Sequence, residues 1–271
     1  MSQRNSQQHK VAARERLRIE REKQARKDKV RRQLIVGASI VAVLAAAGGI
    51  GYAVVQNNKP SYWEGLKDAK VTAPANTTGK DGTTVVIGKS TAKKTLKVYE
   101  DPRCPVCSEF EQAIGKTVEQ DITDGKFKFQ FVGGVFLDGN TNGEGSKNAM
   151  SALGAALNVS PQAFLDFKYA MYSAKFHPEE TNDKFKDDAY LIKIGDTVPA
   201  LKNNATFQDA VKNGTYDAWA VAMGKAFDNN KDNVTGTPTL VMDGKKVSTS
   251  DGNPPMTVAD FDSVVGAALK A

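Results

Sequence analysis

The stretch E-D-P-R-C-P-V-C-S-E-F-E, Glu100 to Glu111, holds both cysteines of a 271-residue chain, Cys104 and Cys107. A C-x-x-C pair admits three readings: a metal clip, a structural disulfide or a redox centre. A structural zinc takes four ligands, typically Cys and His, and only His9 and His177 accompany the cysteines. Covalent haem attachment requires C-x-x-C-H, and residue 108 is serine. A purely structural disulfide across so short a loop constrains the unfolded chain least. No metal and no cofactor are therefore expected, and the redox reading fits best. Val106, Phe110, Ile114 and Val118 recur every four residues, the apolar stripe of a helix. Pro105 is tolerated in its first turn, where the missing N–H has no intrahelical partner. The pair thus sits at a helix N-terminus, whose dipole and unpaired N–H groups stabilise thiolate. Cys104 is expected to be the exposed, attacking sulfur and Cys107, one turn in, the more buried resolving thiol. Arg103 stands beside the nucleophile, either adding to the positive field or simply solvated.

Working outward, T-T-V-V-I-G (83–88) and T-L-K-V-Y-E (95–100) read as strands, with Leu96 and Val98 on one face of the second. F-K-F-Q-F-V-G-G-V-F (127–136) begins by alternating, Phe127, Phe129 and Phe131 against Lys128 and Gln130. The cysteine helix therefore lies in a β-α-β crossover. The pair Gly133-Gly134 reads as a bulge or a strand end. An Ala-rich helix follows at G-S-K-N-A-M-S-A-L-G-A-A-L-N-V. Ser160-Pro161 caps another, which carries Phe164, Phe167 and Met171. Thr206 is read as the cap of F-Q-D-A-V-K-N, ended by Gly214, and Thr215 as the cap of Y-D-A-W-A-V-A-M-G-K-A-F. His177 and the charged residues around it fit no element and read as solvated surface. T-P-T-L-V-M (237–242), a tight Asp243-Gly244 turn and K-K-V-S-T-S read as a hairpin. Thr257 then caps a last helix from Val258 to Leu269.

The formal net charge of +6 is unevenly placed. Residues 1–32 hold twelve Lys/Arg against four Asp/Glu, a local +8 that leaves −2 for the rest. Basicity is a property of this segment, which reads as an exposed charged helix able to touch anionic lipid. No motif supports nucleic-acid binding. Leu34 to Val55 contains no charged residue, and an apolar run of roughly 20 residues spans a bilayer. It overshoots the roughly 7–15 apolar residues of a cleaved secretory signal. Residues 33–55 are accordingly read as an uncleaved signal anchor. By the positive-inside rule, residues 1–32 are cytoplasmic and everything after Val55 extracytoplasmic. The protein is then a single-pass protein of the cell membrane. Residues 56–82, rich in Asn, Thr, Gly, Lys and Pro without periodicity, read as a polar tether. The soluble domain is read as 83–271.

With these elements in place, Y-E-D-P-R-C-P-V-C-S-E-F-E resembles the DsbA-like disulfide oxidoreductases of the thioredoxin superfamily. Their motif, aromatic-x-D-x-x-C-P-x-C-x-x-F, is matched by Tyr99, Asp101, Cys104, Pro105, Cys107 and Phe110. V-T-G-T-P-T-L-V-M-D-G (234–244) is similar to the family's cis-proline segment, at Thr237-Pro238. The helical stretch between about 143 and 230 is similar to the family's inserted helical domain. The resemblance covers roughly Thr83 to Ala271. It implies an α/β thioredoxin-like fold with a helical insert, here preceded by one transmembrane helix. It also implies disulfide exchange with exported proteins through Cys104 and Cys107, as a dithiol oxidant recycled by a quinone-linked membrane partner. Pro105, Val106, Thr237 and Pro238 are the implied supporting residues. Val106 departs from the family, where histidine commonly stands and favours thiolate. That leaves the direction of exchange, oxidant or reductase, open. A different class of reading is an anchored binding or chaperone-like module with the pair as a redox sensor; a scaffold tolerates Cys104→Ser, an enzyme does not.

Overall fold

The alternation in T-L-K-V-Y-E is what the backbone uses. In the computed structural model, which describes Lys23, Lys27 and residues 61–271, this segment is strand β2 (Thr95–Glu100). With β1 (Val85–Ile87), β3 (Lys128–Gly133), β4 (Thr239–Met242) and β5 (Lys245–Val247) it forms a sheet of order β1-β3-β2-β4-β5. β2 and β3 run parallel, with Thr95 opposite Lys128 and Glu100 opposite Gly133. The other three pairings are antiparallel. The β2–β3 crossover is helix α2 (Pro105–Asp124), closed at Gly125, whose φ of 78° suits a residue without Cβ.

Eight further helices complete the described part. They are α1 (Tyr62–Gly65), α3 (Leu137–Asn140), α4 (Gly145–Val159), α5 (Pro161–Met171), α6 (Asp188–Gly195), α7 (Ala205–Lys212), α8 (Asp217–Asp228) and α9 (Val258–Lys270). Period-two burial sorts the sheet residues. Leu96, Val98, Phe129, Phe131 and Leu240 join Phe110 and Ile114 of α2 and Phe261 and Val265 of α9 in the main core. Tyr99, Val132 and Val241 face the other way and form a small second core with Phe227 and Val234. Burying these side chains is the main favourable term, worth about 25 cal/mol per Å² of apolar surface.

The helices between β3 and β4 pack around α4. Ala149, Met150, Ala152, Leu153, Ala155, Ala156 and Leu157 are all at most 1% exposed, so nearly every face of this helix is covered. Its small residues let the neighbours approach closely. The Gly133-Gly134 pair has the same origin. Gly133 ends β3, and a Cβ there would lie 2.1 Å from Met150 Cε of α4. The pair marks a strand end rather than a bulge.

Capping follows sequence at Ser160, whose hydroxyl accepts from Ala163 N–H, and at Thr257, which accepts from Asp260 N–H. It differs at α7. Asn204, not Thr206, accepts from Phe207 N–H, and asparagine is as good a cap as any. α8 starts after Tyr216 rather than Thr215, without a side-chain cap. The β4–β5 hairpin turns through Asp243 (φ 52°) and Gly244 (φ 74°), as its Asp-Gly sequence requires.

The predicted span 33–55 lies outside the described residues. Among the described residues no helix is long and apolar enough to cross a membrane. From Ser61 onward, the tether reading of 56–82 is corrected. Trp63 on α1 is buried, 6% exposed, within the main core. Asn76 Nδ2 donates to Leu157 O at 3.0 Å, and Trp219 Nε1 donates to Gly82 O at 2.9 Å. Thr78 pairs with Thr84 ahead of β1. Isolated anchors of this kind leave no periodic pattern to read. Trp63→Ala is expected to lower the unfolding free energy by about 3–5 kcal/mol. Urea denaturation of the two proteins measures it, and equal midpoints would show that the segment is loosely held after all.

Candidate active site

The four residues Asp101–Cys104 carry the chain from the end of β2 into α2. Cys104 N–H donates to Asp101 O at 2.9 Å, closing the turn. Cys104 is the N-cap of α2, and its Sγ accepts from Cys107 N–H at 3.4 Å. The sulfur thus occupies the place where a Ser or Asp oxygen ordinarily sits. Both thiols are free. Opposite them the Thr237–Pro238 peptide bond is cis, and Cys104 Sγ–H donates to Thr237 O at 3.5 Å. Four of the predicted residues, Cys104, Cys107, Thr237 and Pro238, are therefore brought together from two distant parts of the chain. Pro105 and Val106 lie at the surface, Val106 42% exposed. Cys104 is less open than the sequence suggests, 6% exposed, while Cys107 is fully buried.

The two thiols are electrostatically unlike. Cys104 is lowered from 9.0 to about 7. The largest cause is a hydrogen bond from the Cys107 thiol; burial opposes it, and the Thr237 hydroxyl and Cys107 N–H add to it. Burial pushes Cys107 well above the ordinary thiol range, helped by Cys104 and by the charge of Glu100. The Thr237 hydroxyl is buried without a hydrogen-bond partner, on the side of the sulfur whose thiolate it favours. The loop before it is tethered from below: Lys97 Nζ reaches Asp232 Oδ2 at 2.7 Å, and the Tyr99 hydroxyl donates to the same oxygen.

Beneath the thiols lies a charged group that sequence reasoning missed. Glu100, at the end of β2, is 0% exposed. Lys168 Nζ, from α5, stands 2.9 Å from Glu100 Oε2 and also binds Glu111 Oε2 of α2. The contact with Glu100 is an ion pair but not an aligned hydrogen bond, so both Glu100 oxygens lack a donor. Burial raises Glu100 from 4.5 to about 7 against the pull of Lys168, and Glu111 raises it further. For Lys168 burial works against the charge, yet Glu100 and Glu111 together outweigh it and hold the ammonium above its ordinary range. One ammonium between two buried carboxylates leaves one negative charge unbalanced, and Glu100, raised to about 7, is the carboxyl that takes up a proton as the pH falls through neutrality.

Arg103 is not solvated. It is 1% exposed, and its Nη1 lies 3.1 Å from Asp138 Oδ1 and 3.2 Å from Asp183 Oδ1. Two carboxylates offset its charge, which therefore contributes no free positive field at Cys104. Asp138 also accepts from the backbone N–H groups of Ser146 and Lys147 at the start of α4. Asp101 accepts from Arg103 N–H, Leu137 N–H and the Ser146 hydroxyl. His177, read as surface, instead rests on the active-site loop, with Nε2 3.1 Å from Pro102 O.

The chain matches a family model described as thioredoxin over residues 80–265, and it belongs to the thioredoxin family. It is similar to disulfide bond formation protein D of Bacillus subtilis, 25% identical over 181 residues, covering 66% of this chain and 72% of that protein. Its fold is similar to that of reduced DsbA from Mycobacterium tuberculosis, with a TM-score of 0.55 and 26% identity over 70% of this chain and 96% of that one. It also resembles the serine/threonine-protein kinase PknE of Mycobacterium tuberculosis, 27% identical over 172 residues. That match covers 60% of this chain but only 29% of the kinase.

Between pH 4.5 and about 7 the folded protein holds a proton on Glu100 that the unfolded chain has released. Its stability therefore falls as pH rises through that window. Asp101, raised mainly by burial to about 6, acts in the same direction over the lower part. Glu100→Gln is expected to flatten the fall, leaving the Asp101 share. Urea unfolding at pH 4.5, 6 and 7.5 tests this, and an unaltered pH slope would place the proton elsewhere.

Proposed function

We propose that the protein is a thiol–disulfide oxidoreductase that works outside the cell membrane and exchanges disulfides with exported proteins through Cys104 and Cys107. The observation that carries the reading is the asymmetry of the two thiols: one held at a helix N-terminus and lowered to about 7, the other fully buried and raised. The similarity to disulfide bond formation protein D and to DsbA supports the same chemistry. The uncharged span Leu34–Val55 behind a basic segment supports the location.

The proposed direction is oxidation of the substrate. A substrate thiolate attacks Cys104 Sγ, the Cys104–Cys107 bond breaks, and its electron pair leaves on Cys107. Cys107, the more basic sulfur, takes a proton, and Glu100 is the buried acid placed to give it. A second substrate thiolate then attacks the substrate sulfur of the mixed disulfide. The substrate disulfide forms and Cys104 leaves as thiolate. Two electrons have passed from two substrate thiols to the pair. Whatever stabilises the Cys104 thiolate favours the dithiol product, which makes the disulfide the stronger oxidant. A quinone-linked membrane protein is the proposed partner that removes these electrons. Thr237 and Pro238 form the wall against which an extended substrate lies. Residues 1–32 face the cytoplasm and the lipid headgroups.

In cells, a Cys107→Ser variant of the full chain is expected to accumulate mixed disulfides between Cys104 and exported proteins, with Cys104→Ser giving none. Equilibration with glutathione and thiol trapping is expected to return an oxidising potential. Absence of mixed disulfides would favour the sensor reading, and a potential at the reducing end would reverse the direction.

A further inference from the structure

The turn between β2 and α2 belongs to no regular element, yet Asp101, Pro102 and Arg103 are all buried. Buried backbone oxygens need donors. Here the partners come from one short stretch of the helical insert, Tyr172 to Asp183. The Tyr172 hydroxyl donates to Asp101 O at 2.9 Å. His177 Nε2 lies 3.1 Å from Pro102 O. Arg103 Nη2 donates to Glu180 O at 2.7 Å, and Nη1 pairs with Asp183. Asp183 is fixed in turn by Glu144 N–H and Gly145 N–H at the head of α4. The three residues ahead of the nucleophile are thus gripped one after another.

We propose that the Tyr172–Asp183 segment is a positioning element that sets the reactivity of Cys104, with His177 and Tyr172 as its positioning residues. The inference rests on Cys104 being the attacking thiol. Its physical basis is the carbonyl dipole. Pro102 O is two residues from the nucleophile, and a carbonyl oxygen turned toward a thiolate destabilises it. His177 keeps that oxygen engaged on the insert. The imidazole is itself held, stacked on Tyr172 with ring centroids 5.7 Å apart and meeting Phe185 edge-on. Burial lowers its pKa, so at neutral pH it is the uncharged ring. The carbonyl partner places its hydrogen on Nε2. It therefore acts as a donor and not as a charge. Losing the donor leaves a buried carbonyl unpaired and leaves the peptide between Pro102 and Arg103 held from its N–H side alone, by Asp101 Oδ1 at 3.0 Å.

The test compares full-length wild type, His177→Phe, His177→Gln and Tyr172→Phe. His177→Phe keeps an aromatic ring on Tyr172 but no donor, whereas His177→Gln keeps an amide donor. The readouts are the pH dependence of iodoacetamide alkylation, with the modified cysteine identified by mass spectrometry, and the equilibrium with glutathione. In His177→Phe the Cys104 midpoint is expected to rise and alkylation at pH 7 to fall about two- to tenfold, the factor that one net hydrogen bond supports. The glutathione equilibrium should shift toward the disulfide by a similar factor. His177→Gln should return both to within about twofold of wild type. Tyr172→Phe removes the neighbouring donor without changing shape and should move both in the same direction as His177→Phe, which keeps the test decisive should the latter fail to fold. A purely structural role would lower the melting temperature and leave the midpoint and the equilibrium unchanged; that result overturns the proposal. Preferential alkylation of Cys107 in wild type would instead overturn both this inference and the assignment of Cys104 as nucleophile.

Discussion

A sulfur in the N-cap position is the constraint from which the rest of the site follows. Capping ordinarily satisfies one orphan donor of a helix with a side-chain oxygen. Here Cys104 Sγ takes that place and accepts from Cys107 N–H. The arrangement fixes where the proposed nucleophile sits, which charge it prefers and which residue lies one turn below it. It requires that α2 start where β2 ends, and the parallel β2–β3 crossover provides this. It also requires a wall in front of the sulfur. β4, antiparallel to β2 on its other side, brings Thr237 and Pro238 to that position. The sheet order is thus the geometric condition for a capped, nearly covered sulfur.

The same placement creates an electrostatic problem. Glu100 is driven into the interior at the strand end, beside a thiol that must at times be charged. A buried carboxylate left alone costs several kcal/mol. Lys168 supplies the counter-charge, and it comes from α5, outside the sheet domain proper. Tyr172, at the end of that same helix, holds Asp101 O and packs under the loop. The helical insert is therefore part of the candidate site's interior as well as its exterior. Charge balance beneath the thiols depends on a helix inserted between β3 and β4.

The sheet, the active-site helix and the hairpin were legible because each follows a strong local rule. Period two held in T-L-K-V-Y-E, period four held from Val106 to Val118, and an Asp-Gly turn closed β4 to β5. Cys104, Cys107 and the Thr237-Pro238 segment were legible because their spacing and neighbours match a family motif. Glu100 and Lys168 were not. A glutamate ending a strand ordinarily reads as solvent-facing, and only the three-dimensional fold buries it. Lys168 did leave a trace. It falls inside the apolar stripe of Phe164, Phe167 and Met171, where a lysine is out of place unless a buried acid waits for it. His177 left none, because its partner is a backbone oxygen, Pro102 O, which no side-chain pattern records. The segment from Ser61 to Gly82 failed for a related reason. Its anchors are one tryptophan and scattered hydrogen bonds, and such contacts have no period.

Val106 takes on a different weight once the donors around Cys104 are known. A histidine between the cysteines would stabilise the thiolate through a charge that itself titrates near neutrality. Val106 is exposed and brings no such charge. The groups that stabilise Cys104 here are a thiol, a hydroxyl and a backbone N–H, and none of them gains or loses a proton between pH 5 and 8. The stabilisation they give is constant over that range. Cys104 itself titrates there, at about 7, and so do two buried acids behind it, Asp101 at about 6 and Glu100 at about 7. With Val106 between the cysteines, the pH sensitivity around the sulfur lies in the floor beneath it. There the charge of Glu100, when ionised, holds the Cys107 thiol higher still.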